Sequence, residues 1–205
     1  MKTLTAAIIL AAVLFFLIFS PWTKHLLPFW STMSLSIATR TIFALIATRK
    51  TLRKTFCFRP LHIITGILSA LLLYLIFYIG NSLSTALFDS AAPQIQNIYA
   101  VKSDTQTIVI AALLLLIIGP GEEIFWRAFI QQRLVNKYSA LKGLALAAVI
   151  YAAVHVPSLN FMLITAAAIC GLYWGALFLV CRSVWPVIIS HALWDILIFL
   201  IIPIQ

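Results

Sequence analysis

Ile108-Val109-Ile110-Ala111-Ala112-Leu113-Leu114-Leu115-Leu116-Ile117-Ile118 runs without a polar side chain into Gly119-Pro120-Gly121-Glu122-Glu123-Ile124-Phe125-Trp126-Arg127. The chain has only five acidic residues, and two of them stand side by side where this aliphatic run ends. An ionised carboxylate beside hydrocarbon is costly unless something pairs with it. Two readings follow. Either both glutamates are solvated at a membrane edge, or they belong to a functional site that other segments complete.

The chain of 205 residues is 63% hydrophobic and 9% charged, far from the ~25% charged residues of a soluble domain. This composition excludes an ordinary soluble enzyme. Runs long enough to cross a hydrocarbon core of about 30 Å as helices are present, and the short alternating strands of an outer-membrane barrel are not. The expected fold is all-α, a polytopic transmembrane bundle of six to seven spans, forming a single domain over residues 1–205. The net charge of +9 comes from Lys and Arg gathered in the connections between apolar runs. That pattern reads as membrane orientation, and nucleic acid is not expected as a partner. Cys57, Cys170 and Cys181 are odd in number and lack metal-ligand spacing, so they are expected to be reduced packing residues.

Taken in order, Leu4 to Phe19 is a first span that stops at Ser20-Pro21-Trp22. It lacks a small-x-small cleavage site, so it is read as retained rather than as a secretory signal. Leu26 to Ala47 is weaker, interrupted by Pro28, hydroxyl residues and Arg40, and is either a span facing protein or a partly interfacial helix. Thr48 to Pro60 holds Arg49, Lys50, Arg53, Lys54 and Arg59, the densest positive cluster, and is expected on the cytoplasmic side. Leu61 to Gly80 is a span with His62, expected to be solvated, at its edge. Asn81 to Asp104 is expected to be a long outside connection. Thr105 to Ile118 leads inward to the Gly-Pro-Gly stretch, where the helix is expected to break. After Glu123 the chain turns amphipathic, with Arg127, Arg133, Lys137 and Lys142, and returns to the cytoplasmic surface.

Gly143 to His155 forms a small-residue-rich helix that Pro157 ends, and Phe161 to Val180 is a span whose Gly171 and Gly175 are spaced for close helix packing. The last span opens at Ser183-Val184-Trp185-Pro186 and passes His191 and Asp195 to Ile202. If the second segment crosses, there are seven spans, with the N-terminus inside and the C-terminus outside. The short loops suggest a bacterial cytoplasmic membrane.

Glu123 and Arg127 are four residues apart with the acid first, the favourable helical order for an ion pair. Glu122 is left free by that pairing, and a carboxylate at the mouth of a dry cavity is suited to act as general base or acid. His155 has Tyr151 one turn before it, so their rings are expected to stack. His191 and Asp195 share one helix face, where the acid can hold the imidazole in one orientation. At ~1.5 Å per residue, Glu122 is expected near the cytoplasmic side, His191 about 10 Å in, and His155 about 18 Å in.

Glu122-Glu123-x-x-x-Arg127, then Tyr151-x-x-x-His155, then His191-x-x-x-Asp195 resemble, in order, the three motifs of the CPBP family of intramembrane proteases, also called the Abi or CAAX-protease and bacteriocin-processing family. The resemblance covers roughly residues 105–202, the core that carries the motifs. It implies hydrolysis of a peptide bond in a membrane-associated or lipidated protein or peptide. Glu122 would activate water and His155 would position it, while His191 and Asp195 would form the oxyanion side and Arg127 would brace Glu123. The family's prenyl-protease branch has Asn where this chain has Asp195, and an ionised Asp can only accept a hydrogen bond. Asp195 therefore orients His191, is protonated, or ligates a metal. No cofactor is favoured. The alternative is zinc or another divalent ion held by Glu122, His155, His191 and Asp195. The alternative to an enzyme is a non-catalytic membrane scaffold of the same fold that binds a partner enzyme.

Overall fold

The computed structural model describes residues 2–48, 55–102 and 105–204, and the described residues contain eight helices and no strand. These are α1 (Lys2–Phe19), α2 (Phe29–Thr48), α3 (Leu61–Leu87), α4 (Ala91–Tyr99), α5 (Thr107–Lys137), α6 (Ala140–Ala153), α7 (Phe161–Cys181) and α8 (Trp185–Ile201). α6 runs on through a tight 3₁₀ turn, Val156–Ser158. The cluster Arg49, Lys50, Arg53 and Lys54, read as a cytoplasmic loop, lies outside the described residues, as does Asp104.

Among the described residues, six helices are long and apolar enough to cross a membrane. α8 is apolar but shorter, reaching roughly 25 Å over its length at 1.5 Å per residue. Large apolar side chains face outward, among them Leu116 at 75% exposure and Val180 at 81%. In water that would be costly, whereas hydrocarbon accepts it.

α2, the doubtful second segment, is a continuous 20-residue helix. Several of its hydroxyls bond back to its own backbone: Ser34 Oγ donates to Trp30 O at 2.7 Å and Thr39 Oγ1 to Leu35 O at 2.8 Å. Satisfied within the helix, these do not prevent burial in an apolar medium, whereas Ser36 Oγ and Thr41 Oγ1 are buried without a partner.

Three expectations are corrected. The span beginning at Leu61 does not stop at Gly80 but continues to Leu87, and much of the expected outside connection is the separate helix α4. Gln94 on α4 accepts from Asn160 Nδ2 through its carbonyl and from Met162 N through Oε1, fastening α4 to the start of α7. His62 is buried rather than solvated, and its Nδ1 accepts from the backbone N–H of Arg59 at 3.1 Å.

The third correction matters most. Gly119-Pro120-Gly121 does not break the helix, and α5 runs unbroken for 31 residues. The turn before the proline, Leu114–Ile118, is π-helical, and Gly119 N donates to Leu114 O, five residues back. That widened turn takes up the room that Pro120 needs and the bond it cannot make.

The two glycines have opposite tasks. A Cβ at Gly119 would lie 3.0 Å from Ala192 Cα on α8, and one at Gly121 would collide with Ile37 Cγ2 and lie 2.7 Å from Thr41 Oγ1 on α2. Gly119 thus admits α8 against α5, and Gly121 admits α2. Gly171 and Gly175 serve the packing expected of them, against Ala148 and Leu144 of α6.

Gly121→Ala is expected to lower stability by about 1–3 kcal/mol, because a methyl group there must push a β-branched residue on another helix aside. Gly80→Ala is the control, since nothing lies within 4 Å of its added carbon. Thermal unfolding in detergent should separate the two variants.

Candidate active site

α5 and α6 form an antiparallel hairpin closed at Tyr138-Ser139, where Ser139 Oγ accepts from Lys142 N. Residues at equal distance from this turn lie at equal depth. Trp126 and Tyr151 are one such pair, and their rings meet edge to face with centroids 5.0 Å apart. Glu122 and His155 are another, each fifteen residues from the near end of the hairpin, at Lys137 and Ala140. Glu122 is also the central residue of α5, roughly 22 Å from either end at 1.5 Å per residue. A helix that continues through Gly-Pro-Gly thus carries the glutamates to its middle rather than to its end.

Neither glutamate is solvated, Glu122 being 2% exposed and Glu123 fully buried. Glu123 Oε1 accepts from Arg127 Nη1 at 3.1 Å, as the four-residue spacing led one to expect. The same oxygen also accepts from His191 Nδ1 at 2.7 Å. Arg127 Nη2 donates to Cys170 O at 3.0 Å, so one buried cation ties α5 to α7 while Glu123 ties α5 to α8. His191 lies flat on Trp174, with ring centroids 3.8 Å apart and planes at 20°. Trp174 Nε1 donates to Ser190 Oγ, and Ser190 Oγ to Ser69 Oγ, extending the polar chain to α3.

Glu122 is not free, and here the sequence reading is corrected. Its Oε1 accepts from Arg40 Nη2 at 2.8 Å, and Arg40 is 1% exposed. Arg40 marked a weak point in the second segment when read as sequence, yet it is the cation that makes burial of Glu122 tolerable. The guanidinium carbon lies 4.5 Å from the centre of the Phe15 ring and 5.4 Å from that of Phe125, both faces of aromatic rings that attract a cation. A signal was present in the sequence, since a lone arginine within an apolar helix needs a buried acid. Which acid it met depended on where α2 packed.

His155 Nδ1 lies 2.8 Å from Tyr151 O. A carbonyl can only accept, so Nδ1 carries the proton and Nε2 is the accepting nitrogen. Its ring meets Tyr151 edge to face at 5.1 Å and 74°, not stacked, and also meets Phe15 at 4.8 Å. Phe15 stands between this histidine and Arg40, closing the site on the α1 side. Asp195 Oδ2 is 3.6 Å from His191 Nε2, facing it beyond hydrogen-bond distance.

The structure thus brings Glu122, Glu123, Arg127, Tyr151, His155, His191 and Asp195 together in the middle of the bundle. It adds Arg40. Four polar atoms of this cluster are buried without a protein partner: Glu122 Oε2, Glu123 Oε2, Asp195 Oδ2 and Arg40 Nη1. Native interiors rarely leave such atoms unpaired, so their grouping marks a place for water or substrate. A cavity of about 910 Å³ opens between α2, α5 and α7, lined by Ala128, Arg133 and Arg182 among others.

Of the four residues named for a metal, Glu122 has one oxygen on Arg40 and His191 lies between two carboxylates, while Glu122 Oε2 and His155 Nε2 remain available. Among the described residues, no three His, Cys, Asp or Glu side chains converge as ligands.

Residues 104–197 match the family model described as type II CAAX prenyl endopeptidase Rce1-like. No curated protein and no solved structure matches the chain. All seven motif residues lie within the matched segment, and Arg40 lies outside it.

Proposed function

With residues 104–197 the chain belongs to the CAAX protease family, and on that premise we propose that it hydrolyses a peptide bond of a membrane-associated or lipidated protein, with Glu122 activating the attacking water. The observation that carries this reading is the buried Glu122 Oε2, an accepting oxygen without a protein partner at the same depth as His155. Amide hydrolysis needs a base for water in a place from which bulk water is excluded. His155, with its proton on Nδ1, offers Nε2 to accept from that water and so hold it.

Glu123, Arg127 and His191 form the frame. Two donors fix Glu123, and Glu123 in turn fixes the ring of His191, so the wall of the site keeps its shape around the reacting group. Asp195 faces the other ring nitrogen and favours the same orientation. No metal is needed for this chemistry, and the roles above are assigned to this chain's own side chains. The basic connections set the N-terminus on the inner side and the C-terminus on the outer, which suits a bacterial cytoplasmic membrane. Substrate entry from the cavity bordered by Arg133 and Arg182 fits that orientation.

Mapping new protein termini in membranes from cells expressing the wild type or Glu122→Gln tests the function. Peptides that end within or beside a membrane anchor are expected only with the wild type. Identical sets of termini, with equal protein levels, would favour the non-catalytic scaffold.

A further inference from the structure

Addition of water to a carbonyl leaves a negative oxygen that needs a donor, and most donors in this site are already committed. Arg127 spends both terminal nitrogens on Glu123 and Cys170 O. His191 directs Nδ1 at Glu123 and Nε2 toward Asp195, while His155 donates from Nδ1 to Tyr151 O. Asp195, where an amide would donate, is a carboxylate.

Arg40 Nη1, Trp126 Nε1 and the Thr41 hydroxyl are buried donors near Glu122 without a partner. The indole and the hydroxyl are neutral, whereas Arg40 Nη1 belongs to a cation and shares its carbon with the nitrogen that holds Glu122. A charged donor holds an oxyanion more strongly than a neutral one. Arg40 Nε is directed at Ser36 O at 3.4 Å, so the fork is oriented by its own helix.

We propose that Arg40 is the oxyanion donor of the hydrolysis, holding Glu122 through Nη2 and presenting Nη1 to the oxygen that becomes negative. This rests on the protease reading above and extends it to a residue outside the family-matched segment. In the addition step, the water oxygen bonds to the carbonyl carbon. Its proton passes to Glu122 Oε2, and the carbonyl π pair moves onto oxygen, where the Arg40 Nη1–H bonds receive it. In the collapse step, that pair re-forms the carbonyl, the C–N bond breaks, and the leaving nitrogen takes the proton from Glu122. Base and donor act on one carbon because they flank each other in the ion pair. Aromatic rings around the guanidinium keep water from screening it.

The test uses the full chain in nanodiscs, a quenched peptide spanning a cleavage site found by terminus mapping, and a phosphonate analogue of that peptide as a mimic of the tetrahedral intermediate. Arg40→Gln is expected to lower kcat by about 10²- to 10³-fold, as loss of an oxyanion donor does, with KM changed far less. Trp126→Phe is expected to keep most activity. Because Arg40→Gln leaves Glu122 unpaired, phosphonate binding is also compared between Glu122→Gln and Arg40→Met/Glu122→Gln, neither of which buries an unpaired carboxylate at position 122. The double variant is expected to bind about 100-fold more weakly. Equal phosphonate affinity in those two, or Arg40→Gln cleaving within about threefold of the wild type, overturns the proposal while the protease reading stands. Absence of any cleavage that depends on Glu122 ends the protease reading, and this proposal with it.

Discussion

Glu122→Gln in the purified protein is expected to lower the rate of peptide hydrolysis by about 10²- to 10⁴-fold, the usual contribution of a general base. The melting temperature should fall less than for a truncation at this position, because the amide leaves the buried Arg40 guanidinium without its counter-charge but keeps an acceptor for it. The amide keeps an oxygen that can accept from Arg40 Nη2, in the same volume, so the buried contact between α2 and α5 survives. What disappears is the ability of the partnerless second oxygen to take a proton from water. Wild-type activity should withstand exhaustive chelation, because the carboxylate, and not a metal-bound hydroxide, activates the water. A loss of hydrolysis on chelation that divalent metal restores would reject this part of the mechanism.

Glu123→Ala is expected to act on the neighbouring carboxylate in the opposite way, by weakening the fold. It removes the acceptor shared by Arg127 and His191, leaving a fully buried guanidinium with only the Cys170 carbonyl. Breaking a buried pair by removing one partner costs about 3–5 kcal/mol, because the other charge stays behind without compensation. The loss should be visible in thermal unfolding in detergent. Adding Arg127→Met removes that stranded charge and should recover part of the stability, so the two changes should not add. A Glu123→Ala protein as stable as the wild type would show that the Arg127–Glu123–His191 frame does not hold the bundle together.

The separation of these two effects on adjacent residues follows from their partners. Glu123 points to α7 and α8 through Arg127 and His191, whose neighbours in sequence were readable as four-residue motifs. Glu122 points to α2, and nothing in local spacing could reveal that. Arg40 is 82 residues away, and long-range pairing is invisible to helical periodicity. The misread Gly-Pro-Gly stretch has a similar origin. In water such a sequence usually ends a helix, but in an apolar medium every backbone group must be satisfied internally, and a π-helical turn is the local solution.

By itself the sequence determined the class of molecule, since composition and apolar run lengths leave an all-helical membrane bundle as the only economical fold. It also determined which side chains are too costly to be incidental: Glu122, Glu123, His155, His191 and Asp195 among hydrocarbon. Tertiary structure alone decided their mutual placement and their partners. An unbroken α5 sets Glu122 level with His155 across the hairpin. Gly119 and Gly121 admit α8 and α2 from opposite sides, so the five polar residues meet a sixth, Arg40. Charge and hydropathy are properties of residues and can be read along a chain. Which buried acid neutralises which buried cation is a property of helix packing, and only the assembled bundle contains it.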